Sequence, residues 1–159
     1  MTEPAAHTPL SNKALLDEVN SAGLWFRARK TKPLWAKRLD RDDVVTTLEG
    51  TERVSAGDYL CRGPAGEIWP QKGARLEKTY RATNELNAEG WRRFEPRPDA
   101  EGALAAQMSH PFTVQAAWGE LTGKPGDYLV KDYSDHAVAY PADVWIVDRV
   151  IFEATYSRM

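Results

Sequence analysis

The residues of this 159-residue chain whose types could do chemistry are few: three histidines, one cysteine, and a carboxylate, an amine and an imidazole close together near Gly126. Ser134, Asp135 and His136 follow one another, and Asp127 and Lys131 precede them. These types serve general acid–base and nucleophilic catalysis, so Asp127, Lys131 and His136 are the catalytic candidates. Consecutive residues on an exposed loop rarely point together, however, and such groups act through spatial geometry. The competing reading is a solvated loop. His110 precedes Pro111 and reads as a turn residue, and His7 lies in the N-terminal tail. No pair of histidines has metal-ligand spacing, and a lone Cys61 can build neither a Cys-rich zinc site nor an internal disulfide. Neither a metal nor a cofactor is therefore expected. Cys61 alternates with Leu60 and shares a face with Tyr59, the pattern of a buried, inert thiol.

Binding chemistry is better represented. Six tryptophans, six tyrosines and four phenylalanines are present. Tyr59, Trp69, Tyr80, Tyr128, Tyr140 and Tyr156 fall at comparable places in the chain. They read either as a ladder of core rings or as the wall of a cleft that stacks a planar ligand. In the second reading Tyr59, Trp69, Asp127, Tyr128 and Tyr140 hold the ligand. Residues 25–41 form a separate candidate, with seven basic side chains against one acid. Trp25, Phe26 and Trp35 interleave with those charges, the composition of a single-strand nucleic-acid surface. Arg27, Arg29, Lys30, Lys32 and Trp35 would carry that contact. The same charges also suit a protected strand edge, an intramolecular contact or a homo-oligomer contact. The net charge of −2 is a cancellation: −2 over 1–24, +6 over 25–41, −1 over 42–98 and −5 over 99–159.

The elements that position these groups come from an internal repeat. Gly57-Asp58-Tyr59-Leu60 recurs as Gly126-Asp127-Tyr128-Leu129. The same offset of 69 pairs Ala36 with Ala105, Leu39 with Met108, Val45 with Val114 and Gly50 with Gly119. Downstream, Trp69-Pro70 is matched to Tyr140-Pro141, and Leu76…Thr79-Tyr80 to Phe152…Thr155-Tyr156. Each copy reads mostly as strand, from its β-branched runs and glycine turns. Pro125-Gly126 has the type II turn signature, and Asp58 and Asp127 can lock such turns with their carboxylates. The GDYL strand opens a hairpin in each copy. It returns over Ile68–Trp69 in the first and over Ala137–Tyr140 in the second, where Pro70 and Pro141 end the return strands. A short helix is expected within Lys72–Glu77 and Val144–Glu153, and a last strand at each Thr-Tyr. Residues 11–23 predict a helix, with Ser11 as its cap and Gly23 at its end.

Pro125-Gly126-Asp127-Tyr128, the later Tyr140-Pro141 and the final Phe152…Thr155-Tyr156 resemble the PGDYG family of short bacterial and phage domains. Leu129 stands at the fifth signature position. The first copy is degenerate, with Ala56, Trp69 and Leu76 at signature positions. The resemblance implies a compact β-rich unit used twice, and no activity.

These readings combine into an α+β, mainly β protein of two pseudo-symmetric small β repeats packed together, with an N-terminal helix covering one edge. The segments are a disordered tail over 1–10, the helix and a basic connector over 11–32, a first repeat over 33–81, a linker over 82–101 and a second repeat over 102–159. Within the linker, Asn84–Gly90 is assigned to helix. About 50 residues bury little surface alone, so the repeats are expected to share a core. No apolar run approaches a membrane span, and the N-terminus lacks a secretory signal, so a cytoplasmic location and no membrane partner are expected. The function expected is a non-catalytic binding or interaction domain, taking a small molecule or a protein in a cleft at the repeat interface. The alternatives are a small enzyme acting on a small or nucleotide-like substrate and nucleic-acid binding through 25–41.

Overall fold

Short alternating runs separated by glycine-bearing turns leave this chain mostly strand. The computed structural model describes residues 12–116 and 119–159, so the expected tail and the Ser11 cap lie outside the described residues. The class is α+β, mainly β, with the N-terminal helix present. Two compact units emerge. The central unit is Lys30–Ala100; the terminal unit combines the chain up to Arg29 with Glu101–Met159.

In chain order, helix α1 (Lys13–Ala22) and strand β1 (Phe26–Lys30) come first. The central unit follows with β2 (Leu34–Arg38), β3 (Asp43–Thr47), β4 (Gly50–Val54), β5 (Tyr59–Arg62), β6 (Ile68–Gln71), α2 (Gly73–Thr79), β7 (Tyr80–Leu86) and β8 (Arg92–Pro96). The rest of the terminal unit is β9 (Ala103–Gln107), β10 (Phe112–Ala116), β11 (Gly119–Gly123), β12 (Tyr128–Asp132), β13 (Trp145–Val147), α3 (Arg149–Thr155) and β14 (Tyr156–Arg158). The central sheet runs β6-β5-β2-β8-β7 and the terminal sheet β13-β12-β9-β1-β14. Each unit adds a two-stranded hairpin, β3-β4 or β10-β11.

The duplication is thus visible as one strand order built twice, and register refines its alignment. Ala36 faces Cys61 and Arg92, while its counterpart Ala105 faces Val130 and Phe26. Phe26 is therefore the counterpart of Arg92, and Trp25 of Trp91. Each repeat owns a first strand, β1 or β8, that sits in the sheet of the other repeat. Residues 82–101, assigned to a linker, hold the end of β7 and all of β8, and Asn84–Gly90 is strand and turn rather than helix. Pairing of Leu86 with Arg92 on β8 and the turn that bonds Asn87 to Trp91 override a weak local helix preference.

The second return strand also differs from expectation. It is Trp145–Val147, and Tyr133–Asp135 is a 3-10 turn. Cys61 faces Trp69 as Val130 faces Trp145. Trp145, not Tyr140, is thus the counterpart of Trp69. The second-copy insertion precedes the return strand, and Tyr140-Pro141 within it imitates Trp69-Pro70. Pro70 itself lies inside β6, an edge strand, where its missing N–H breaks no ladder.

Packing differs between the copies. In the central unit, Leu34, Ala36, Cys61, Leu76, Tyr80 and Phe94 form one buried cluster under α2. The terminal sheet has apolar clusters on both faces. One gathers Ala28, Ala105, Tyr128, Val130 and Phe152 under α3. The other packs Leu16 and Val19 of α1 with Ala106, Leu129 and Ile146. Helix α1 thus covers a sheet face rather than an edge, and it ends at Gly23 in the left-handed conformation (φ 64°). No helix among the described residues is long and apolar enough to cross a membrane.

Candidate functional site

The repeated aspartates are turn locks. Gly126 adopts φ 95° and Gly57 φ 90°, which is why glycine precedes each aspartate. Asp127 is 1% exposed. One carboxylate oxygen accepts the Lys124 backbone N–H at 2.9 Å and the Lys124 Nζ at 3.1 Å; the other accepts the Arg149 N–H at 2.9 Å, tying the turn to the start of α3. Asp58 repeats this more weakly, accepting from Ser55 N at 3.3 Å and Lys72 Nζ at 2.9 Å.

The other catalytic candidates do not converge on it. Lys131 lies four residues along β12, about 13 Å away at the usual rise of a strand. Its side chain is buried, its Nζ donates to the Val138 carbonyl at 3.1 Å, and it lies 4.7 Å from the Trp25 ring centroid. Burial lowers its pKa below the ordinary lysine value, with Asp135 opposing. His136 is exposed, its ring stacked on Tyr133 at 4.9 Å and its Nδ1 at 3.1 Å from the Tyr133 carbonyl. Cys61 is fully buried, with Sγ 3.6 Å from the Gln71 amide oxygen. Burial pushes its thiol up to about 12, so it is no nucleophile. Among the described residues no three His, Cys, Asp or Glu side chains are grouped to hold a metal ion.

The expected ligand-binding rings fall in two places. Tyr59 and Trp69 belong to the central unit, both half-buried against its core. Asp127, Tyr128 and Tyr140 belong to the terminal unit. Tyr128 is a core ring: it stacks on Phe152 at 3.9 Å, and Phe152 stacks on Tyr156 at 4.3 Å. Phe26 closes this cluster edge-on, 6.1 Å from Tyr128 and 6.0 Å from Phe152. The Tyr128 hydroxyl donates to Glu153, and burial together with that carboxylate raises its pKa. Tyr140 lies at the surface, its hydroxyl donating to Asp17 of α1.

The basic stretch is divided between the two units, and its members make separate contacts. Arg27 donates Nε to the Glu101 carbonyl at 2.9 Å and lies 3.7 Å from the Tyr133 centroid. Lys30 lies 5.3 Å from the Trp69 centroid. Arg29 and Lys32 are exposed, and Trp35 is half-buried, opposite Arg62 and Arg93. Arg38, near the end of the stretch, joins other charges around a cavity, while Lys37 lies 5.9 Å from the Trp91 centroid.

That cavity lies wholly in the central unit, on the α2 side of its sheet, and measures about 440 Å³. Ala36, Tyr59, Tyr80 and Phe94 floor it, and Arg38, Arg92 and Arg97 line it with a single acid, Glu77; Lys37 and Arg81 border it through their backbone, their side chains meeting Trp91 and Glu95 on the opposite face of the sheet. Three of the arginines are tethered by the backbone. Arg38 Nε donates to Gly57 O at 3.3 Å, Arg92 Nη1 to Thr83 O at 2.8 Å, and Arg97 Nε to Glu77 O at 2.6 Å and Tyr80 O at 3.1 Å. Sequence reasoning missed Arg92 and Arg97 because they lie in a segment assigned to a linker. The signal available was the Phe26–Arg92 equivalence. In the terminal unit Phe26 and Phe152 fill the corresponding place with rings; in the central unit Arg92 and Leu76 occupy those positions and leave it open. Compared with known proteins, the chain matches no family model, no curated protein and no solved structure.

Proposed function

We propose that this protein is a non-catalytic binding module whose recognition site is the cavity of the central unit. The observation that carries the reading is the contrast between the two copies. One strand order is used twice, and the space that four aromatic rings close in one copy stands open and lined by tethered arginines in the other. A core position that changes from Phe to Arg gives up packing, which is a liability unless the charge meets a partner. The dispersal of Asp127, Lys131 and His136, each engaged separately, argues for binding without turnover. In this reading the terminal unit is the filled, supporting copy.

The test is a ligand-detected NMR screen of small molecules on the wild-type chain and on Arg92→Phe, which installs the ring found at the equivalent position. The expected result is at least one ligand class whose binding disappears in the variant. A screen in which every binder also binds the variant, or in which nothing binds, refutes the reading.

A further inference from the structure

We infer that the ligand of this cavity is a compact phosphate monoester with an apolar body. The inference rests on the binding-module reading above and adds the ligand's chemistry. Three arginines, Arg38, Arg92 and Arg97, and one acid, Glu77, line the space on this sheet face, so a neutral occupant would leave an excess of positive charge uncompensated. A single carboxylate balances one of those charges. A phosphate monoester carries about −1.5 to −2 charges at neutral pH and three acceptor oxygens.

The donors suit that geometry. Arg38 holds its backbone tether through Nε, so both of its Nη groups have no protein acceptor among the described residues. Arg97 is tethered in the same way. Arg92 keeps Nε and one Nη. These are planar forks already held in place, which present paired N–H groups to an oxyanion with little ordering left to lose. Arg38 and Arg92 stand diagonally on neighbouring strands of one sheet face, where such positions lie about 7–8 Å apart.

The floor suits an apolar body. Tyr59 meets Phe94 edge-on with centroids 6.0 Å apart, and Leu86, 56% exposed, also lines the space. The volume of about 440 Å³ accommodates one small ester.

The experiment uses the full chain and four probes: phenyl phosphate, benzoate, phenol and inorganic phosphate, each titrated by calorimetry at pH 7.5. Two variants take residues from the equivalent positions of the terminal unit, Arg38→Gln (Gln107 there) and Arg92→Phe (Phe26 there). Thermal unfolding of each variant checks that it is folded. The expected result is that phenyl phosphate binds best, that each variant weakens it about tenfold, as loss of one charge-assisted pair implies, and that affinity falls as the phosphate protonates below about pH 6. Benzoate or phenol binding at least as tightly as phenyl phosphate, with loss in Arg92→Phe, overturns the phosphate assignment and leaves the binding-module reading standing. Phenyl phosphate binding that neither variant weakens, or inorganic phosphate binding equally well, also overturns the inference. If no probe binds, the phosphate assignment falls; the wider screen with Arg92→Phe then decides the module reading separately.

Discussion

Replacing Asp127 and Asp58 in turn with alanine separates a buried turn lock from an exposed one. Asp127→Ala leaves two backbone N–H groups, those of Lys124 and Arg149, without their acceptor at a site that is 1% exposed. A hydrogen bond to a charged group contributes about 1.5–3 kcal/mol, so the two together predict a loss of about 3–6 kcal/mol. The Lys124 amine is mostly solvated and adds little. At Asp58 the backbone bond is long, 3.3 Å, and the Lys72 amine is 69% exposed. Asp58→Ala should therefore cost about 1 kcal/mol. Asp127→Asn keeps one acceptor oxygen and should fall between. The assay is urea unfolding followed by tryptophan fluorescence and by circular dichroism, since two units allow more than one transition. If the two alanine variants lose the same stability within about 1 kcal/mol, the argument from burial and bond geometry fails.

His110 donates from Nε2 to the Glu18 carboxylate on α1 and from Nδ1 to the Pro111 carbonyl, two acceptors that require a protonated ring. Its pKa is raised for that reason, so the contact is fully present below the ordinary histidine value and is lost as pH rises through the folded value; an NMR titration should show the raised midpoint and Glu18→Gln should lower it. Cys61, its pKa pushed to about 12 by burial, should react with a thiol reagent only at the rate of unfolding, and fast labelling in native buffer would contradict its placement. A protease site placed in the Asn87–Gly90 turn should yield two fragments that elute together without denaturant, because β1 and β8 each complete the sheet of the other repeat; separate elution would refute the exchange.

Much of the fold was legible because its signals are local. The Gly-Asp pairs mark turns that require positive φ, and they recur at a constant offset through β2–β5 and β9–β12. The alternation Tyr59-Leu60-Cys61 placed the thiol correctly in the core. Two features were hidden because they depend on pairing. Tyr140-Pro141 resembles Trp69-Pro70 in type, yet only register identifies Trp145 as the partner opposite Val130. The segment 82–101 looks like a linker because its strand, Arg92–Pro96, is rich in charge and proline; its place beside β2 is a long-range fact. The candidate site was hidden for the same reason, since Arg38, Arg92 and Arg97 are far apart in sequence and each is unremarkable alone.

The exchanged first strands give the two copies a shared dependence and a separate freedom. Neither repeat can complete its sheet from its own segment, so the backbone of both is held to one register by β1 and β8. Side chains on those two strands are not so bound. β1 brings Phe26 and Ala28 to the face under α3, where they complete a packed ring cluster. β8 brings Arg92 and Phe94 to the face under α2, where Phe94 compensates by its bulk for the small Ala28 and Arg92 opens the space that Phe26 closes. A duplicated scaffold can therefore keep one copy as a stable core while the other exposes charge, since the cost of the missing ring falls on a sheet whose order β8, the second repeat's strand, helps to fix. The exchange of Phe for Arg at equivalent positions is where the packing of the two copies diverges.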